Sequence, residues 1–446
     1  MIINRNKLEK FHSDRSSRLI LSAFETALDS VSPQRLVRHA VKFCNRQLTV
    51  RDIYGNVTSV QEFDRVYIVG AGKATAGMAY ALSSILHRRI AGGAITIPYG
   101  TKVEIKGFLV TQASHPIPDE AGIRGTKNIL SILKKADHDD LVIVLVSGGG
   151  SALMPLPKAG VSLADKQRIT SFLLRSGASI YEINAVRKHL SAIKGGQLLR
   201  QVNNSCNVVS LILSDVIGDD LGTIASGPTY PDTSTFGDAL NVLRKYHVKV
   251  SDVATKLIAK GVKGRIEETP KAQDLVFSRV HNMLIGNNAT ACKAAASYLN
   301  KHGVKAVHLG SEYDGEAKEF GVFLARLTLG FGRRHFAIVA GGETTVKLDR
   351  SKSGLGGRNQ ETALACLAKL DRQDIAVGCM GTDGIDGNSD AAGALVSPKT
   401  IVLAKKINLL GYLDRHDSYH ALKKLHSLIF TGYTGTNVND ISICMS

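Results

Sequence analysis

One phrase recurs along this 446-residue chain: a short β-branched apolar run, a glycine-rich turn, then an alanine- and leucine-rich stretch with helical spacing. Residues 66–69 run into Gly70-Ala71-Gly72-Lys73 and a helical pattern through His87, and Leu141–Val146 runs into Ser147-Gly148-Gly149-Gly150-Ser151. Residues 208–213 end in Ser214-Asp215, and residues 283–286 lead into a helical 289–299. Further on, residues 336–340 open onto Gly341-Gly342-Glu343-Thr344, and residues 375–379 lead to Gly381-Thr382-Asp383-Gly384. Apolar strands alternating with helices predict parallel sheets buried on both faces, because right-handed crossovers place helices on each side. The expected class is therefore α/β: an N-terminal Rossmann-like parallel sheet with helices on both faces, then a smaller C-terminal α/β domain. The length suits about two domains. The polar stretch 261–274 is the best linker, giving domains of residues 1–275 and 276–446.

Composition removes several classes of function. The longest clean apolar run, Leu141–Val146, is far short of the roughly 20 residues that cross a bilayer as a helix, so no membrane partner is expected. With 43 Gly against 10 Pro and 44% hydrophobic residues, the chain is neither collagen-like nor disordered. Its six cysteines are widely spaced, with no C-x-x-C pair, and are expected to be reduced and buried, which fits a cytoplasmic protein. The first 51 residues carry ten Lys/Arg against four acids, which leaves a transit segment open. A net charge of +17 draws anions in general. Nucleic acid is not expected, since there is no zinc-finger spacing and no basic run longer than pairs such as Lys134-Lys135, Arg88-Arg89 and Arg333-Arg334.

In open α/β sheets ligands gather at the carboxyl ends of the strands, which directs attention to the glycine turns. Gly70-Ala71-Gly72-Lys73 leaves a strand and opens a helix, a setting that holds anions on exposed backbone N–H groups. The dinucleotide fingerprint fails at Thr75 and the Walker loop at Tyr67, where each requires glycine. Three consecutive glycines at 148–150 let backbone approach a ligand closely. A G-x-S-x-G nucleophile elbow fails at Leu153 or Leu145. Two acid groups follow strands: Asp215, Asp219 and Asp220, then Asp383, Asp386 and Asp390. Such carboxylates can hold Mg2+ or accept a hydroxyl proton, or simply cap helices and turns. An EF-hand reading of the second group lacks its twelfth-position Glu. Arg358, behind Gly356-Gly357 at a helix start, presents a planar fork suited to a carboxylate or phosphate. His115, before Pro116, reads as an acid/base group or as a structural turn residue.

Together these segments resemble the glycerate 2-kinase family, the type with an N-terminal α/β domain and a C-terminal MOFRL domain. The matching phrases are GAGKA at 70–74, SHPIPDEAG at 114–122, SGGGSAL at 147–153 and INAVRKHLSAIKGG at 183–196. They continue with LSDVIGDDLGTIASGP at 213–228, GGETTV at 341–346, GGRNQE at 356–361, GTDGIDG at 381–387, DAAGA at 390–394 and TGTNVND at 434–440. The order is the family's, from about residue 16 onward. Tyr433, and Asn388-Ser389, stand where the family usually has proline-containing sequence, which bears on loop stiffness.

The resemblance implies ATP-dependent phosphorylation of D-glycerate on its 2-hydroxyl, with Mg2+, in a cleft between two domains. Lys73 and Arg358 match the family's two proposed catalytic positions. They are also expected, with Arg187, to bind substrate. Gly70, Gly72, Ser147, Gly148, Gly149, Gly150, Ser151, Gly341, Gly342 and Glu343 are expected around the nucleotide. Asp215 and Asp383 are expected as metal ligand and base, with their roles undivided. A homodimer is compatible with this reading. The competing reading is an NAD(P)H-dependent hydroxypyruvate reductase, against which the missing G-x-G-x-x-G counts.

Overall fold

The computed structural model describes residues 1–203, 205–249, 251–330, 335–348, 354–372 and 374–446. Of the sequence features above, the Arg333-Arg334 pair lies outside the described residues. The chain divides into two compact units, residues 33–285 and residues 1–32 with 286–446.

The first unit opens with a three-stranded antiparallel meander, β1 (Val41–Cys44), β2 (Gln47–Arg51) and β3 (Val57–Val60). Its main sheet comprises β4 (Val66–Ala71), β5 (Ile90–Pro98), β6 (Phe108–Ala113), β7 (Leu141–Val146), β8 (Asn207–Leu213) and β9 (Val280–Gly286), in the order β6-β5-β4-β7-β8-β9. Pairings from β6 through β8 are all parallel. Every residue of β4 and β7 is buried, as an all-apolar central strand requires. Tyr67, Val69 and Ala71 join Val142, Val144 and Val146 in packing with Ile129, Ile132 and Leu133 of helix Glu120–Leu133. The alternate residues Ile68, Ile143 and Leu145 are buried too, so both faces are covered. Asp119 starts that helix by accepting the Gly122 N–H at 3.0 Å, one of the amides a helix start leaves without an intrahelical partner.

The second unit contains a six-stranded sheet of β10 (Lys305–Tyr313), β11 (Phe336–Gly342), β12 (Ala376–Gly381), β13 (Gly393–Val396), β14 (Leu428–Ile429) and β15 (Asp440–Met445), ordered β10-β11-β15-β12-β13-β14. Only β10 and β11 pair in parallel; the other four pairings are antiparallel. The expectation of a second parallel sheet is corrected here. The C-terminal strand β15 inserts between β11 and β12 running against both, a long-range placement that strand-turn-helix phrasing does not encode.

The N-terminal segment joins this second unit, whereas the sequence places it in the first domain. Helix Arg15–Ser30 buries Ile20, Ala23, Phe24 and Ala27 on one stripe, and Ile20 and Phe24 press on Gly378 of β12 so closely that a Cβ there would lie 2.6 Å from each. Asn4 clasps the strand edge, donating to Leu428 O at 2.8 Å and accepting from Phe430 N at 3.0 Å. The change of unit falls at 285/286, after the sequence-derived 275/276, because residues 280–286 add the edge strand β9. All six cysteines are free; five are buried and Cys44 is exposed. Among the described residues, no helix is long and apolar enough to cross a membrane.

Candidate functional site

In the first unit, the turns leaving β4 and β7 lock into each other. A Cβ on Gly70 would lie 2.2 Å from Leu145 O, and one on Gly72 would lie 2.0 Å from Ser147 Oγ. The Gly72 N–H donates to Thr96 O, the Lys73 N–H to Gly148 O and the Ala74 N–H to Ser147 Oγ. The amides at 72–74 are therefore already engaged. What this turn offers an anion is the Lys73 side chain, which runs past Gly149 opposite the His115 ring. Gly149 takes φ +81°, a left-handed conformation that glycine adopts without strain, and so admits both side chains. His115, left open between two readings by the sequence, is thus brought beside Lys73.

Ser151 is the hub of a cationic cluster. Its Oγ accepts from Arg187 and, at 2.8 Å, from the Lys194 ammonium, which also donates to Ser151 O. Ser151 Oγ lies 3.1 Å from Ser226 Oγ, and Ser226 donates to Asn184 Oδ1. Lys166 reaches Pro155 O at 2.8 Å. Burial pushes Lys166 down to about 7 and Arg187 down to about 10, and burial with the neighbouring Arg187 and Lys166 charges pushes Lys194 down strongly. Lys166, Arg187 and Lys194 line one cavity of about 500 Å3 with Ser151. Sequence reading singled out Arg187 and Ser151 but missed both lysines. Lys194 sits in a matching phrase; nothing local marks Lys166. Asp215 follows β8 at its carboxyl end and is half-buried, while Asp220 accepts from Gly222 N–H and the Thr223 hydroxyl of its own turn.

In the second unit, Arg358 begins helix Arg358–Leu367 and is held by carboxylates of this same unit. Its Nε and Nη2 grip Asp440 at 2.5 and 3.2 Å, and Nη1 reaches Glu343 at 2.7 Å. Burial works against the charged guanidinium, but the two acids outweigh it and raise its pKa. Burial in turn raises Asp440. Asp386 caps the helix, accepting from the Asn359 and Gln360 N–H groups at 3.0 and 2.9 Å, and burial with the nearby Asp440 charge pushes it up to about 6. Asp383 and Asp440 both face Gly381, each with an oxygen within 3.5 Å of where a Cβ would stand. Gly341 and Gly342 meet Asn288 and Tyr313, at 1.8 and 2.1 Å from the same construction, so packing alone requires glycine there. Asp440, absent from the sequence-derived site, is the partner that fixes Arg358.

Lys73, Ser147, Gly148, Gly149, Gly150, Ser151, Arg187 and Asp215 thus belong to the first unit. Gly341, Gly342, Glu343, Arg358 and Asp383 belong to the second.

Residues 19–259 match a family described as a domain of unknown function (DUF4147), and residues 336–440 match the MOFRL family. A glycerate 2-kinase of Pyrococcus horikoshii is 41% identical over 94% of this chain and 94% of its own length. The chain belongs to the glycerate 2-kinase family. A crystal structure of glycerate kinase from Thermotoga maritima superimposes with a TM-score of 0.84 at 38% identity, covering 96% of this chain and 99% of that one. A protein of Agrobacterium vitis that provisionally carries a hydroxypyruvate reductase name is 38% identical over 84% of this chain and 98% of its own. The domain pair expected from the ten phrases is the one that matches, and the kinase-named relative covers more of this chain at higher identity.

Proposed function

We propose that this chain transfers the γ-phosphoryl group of ATP to the 2-hydroxyl of D-glycerate, giving 2-phospho-D-glycerate and ADP. The observation that carries this reading is the Lys73 and Arg187–Lys194 cation set around the glycine turns of β4 and β7, in a chain 41% identical to a glycerate 2-kinase over nearly its whole length. Phosphoryl transfer asks a protein for positioning and for charge neutralisation, which such cations supply. In this reading the Lys73 ammonium stabilises charge on the transferring group. Arg358, locked in orientation by Asp440 and Glu343, presents a pre-set guanidinium edge to an anion. The roles of hydroxyl-proton acceptor and metal ligand divide between Asp215 and Asp383.

Among the described residues no three or more His, Cys, Asp or Glu gather as a metal cage. Mg2+ needs none, since it takes one or two carboxylates together with substrate phosphates and water. The carboxylates of Asp215 and Asp383 are oxygen donors of the kind a hard cation takes, whereas both oxygens of Asp440 are already engaged by Arg358. When bound, Mg2+ neutralises charge on the nucleotide's phosphates. We place the protein in the cytoplasm, a reading supported by six free cysteines, and leave a homodimer as an expectation for sedimentation to check.

The test is a coupled assay with ATP and either D- or L-glycerate, with the phosphorylated carbon read by 31P–1H NMR. Phosphate on carbon 2 of the D-isomer is expected; phosphate on carbon 3, or NADH consumption with hydroxypyruvate and no ADP from glycerate, would overturn the reading. Lys73→Ala should lower kcat by at least two orders of magnitude with an unchanged Tm, and near-normal turnover would remove Lys73 from the chemistry.

A further inference from the structure

The cavity beside Ser151 holds hydrogen-bond donors without a matching anion. Lys194 and Lys166 are 1% and 7% exposed, and neither they nor Arg187 has a carboxylate within ion-pair distance among the described residues. The other buried lysine nearby, Lys188, pairs with Asp232 at 3.2 Å, which shows how this unit treats a lysine whose role is structural. Next to Ser151 and Ser226, the buried Asn184 Nδ2 also lacks a partner. Three basic groups gathered in a low-dielectric site disfavour one another's charge and lose hydration, and a multivalent oxyanion bound among them restores the charged forms. Ser151 is already engaged by Arg187 and Lys194, so it anchors the cluster.

The opposite wall has a different chemistry. Ile117 and Leu174 line the same cavity and are exposed, so the wall that they form offers apolar surface on which a planar group can lie. A space of about 500 Å3 is far larger than a three-carbon acid and is within the range of drug-sized ligands.

The geometry points to a nucleoside polyphosphate seated in this cavity, its phosphates against Lys166, Arg187 and Lys194 and its base against Ile117 and Leu174. This rests on the kinase reading above and extends it by assigning the two lysines and the apolar wall to the phosphoryl donor rather than to glycerate.

The test is isothermal titration of the full chain with the non-hydrolysable ATP analogue AMP-PNP, with inorganic triphosphate and with D-glycerate, alongside steady-state kinetics. Lys166→Met and Lys194→Met should each weaken AMP-PNP and triphosphate at least tenfold and leave the D-glycerate KM within twofold. Ile117→Ser, at an exposed position where folding is insulated, should weaken AMP-PNP severalfold and leave triphosphate unchanged. Lysine variants that raise the D-glycerate KM while keeping AMP-PNP affinity would overturn the assignment, making this the acceptor's carboxylate seat. AMP-PNP affinity unmoved by Ile117→Ser would overturn it even if the lysine variants failed to fold. Lysine-dependent AMP-PNP binding in a chain that phosphorylates no glycerate would support the seat and refute the reaction.

Discussion

Arg358→Met probes the polar architecture of the second unit. The Asp440 side chain is 10% exposed and Arg358 32%, and without the guanidinium Asp440 keeps only the neutral Asn359 amide at 2.8 Å among its side-chain donors. Breaking a buried ion pair from one side costs about 3–5 kcal/mol. Because a third of Arg358 meets solvent, the lower end, about 3 kcal/mol, applies. At an m-value of about 2–3 kcal/mol per molar urea, the transition reporting on this unit should fall by about 1 M. Adding Asp440→Asn removes the stranded charge and should recover about 2 kcal/mol, a coupling that a double-mutant cycle isolates. The assay is urea unfolding followed by circular dichroism for the wild type, both single variants and the double. If the single effects simply add, the pair carries no such energy and the reasoning fails. Phosphoryl transfer should stay lost in the double variant, which separates the pair's contribution to folding from that of the guanidinium to turnover.

Gly72→Ala should destabilise the first unit by at least about 2 kcal/mol, since φ is +148° and the new Cβ would lie 2.0 Å from Ser147 Oγ; a Tm within a degree of wild type would show that the two turns can separate at no cost. Glu268 supplies a pH signature. Burial opposes its charge, but His189 at 2.7 Å and the N–H groups of Phe236 and Thr269 win and hold it down to about 2. A depressed carboxylate stabilises the fold above its unfolded value near 4.5, and that contribution is lost as pH falls through about 2. The Tm gap between wild type and Glu268→Gln, worth about 2 kcal/mol at pH 6, should therefore close between pH 4.5 and 2; a gap that persists at pH 2 would refute the assignment.

The strands that sequence made legible are those whose neighbours cover both faces. Residues 66–69, 141–146 and 208–213 announce β4, β7 and β8 because strands buried on both faces carry mostly apolar side chains, the buried Ser210 of β8 being satisfied by donating to the Thr229 hydroxyl. The meander β1–β3 escaped notice because its burial is patchy: β3 exposes Val57 and Ser59 and buries only Val60. Site residues divide the same way. Gly72 and Gly149 are readable because positive φ and close approach leave few alternatives to glycine, whereas Lys166 is an ordinary helical lysine by local sequence. Its significance comes from folding helix Leu163–Arg175 against Pro155, and Asp440 acquires its meaning only when β15 slots between two strands it follows by many residues. Both depend on distant pairings that no local spacing records.

The affiliation of residues 1–32 with residues 286–446 has a consequence for synthesis. The stripe of Ile20 and Phe24 is made well before the strand that covers it: Gly378 comes about 350 residues later, after the whole of the unit formed by residues 33–285. At about 5–20 residues per second, those apolar side chains wait roughly twenty to seventy seconds for their partner. The helix is thus a nascent-chain segment exposed to chaperones and proteases, and removing it would injure the unit completed by residues 286–446.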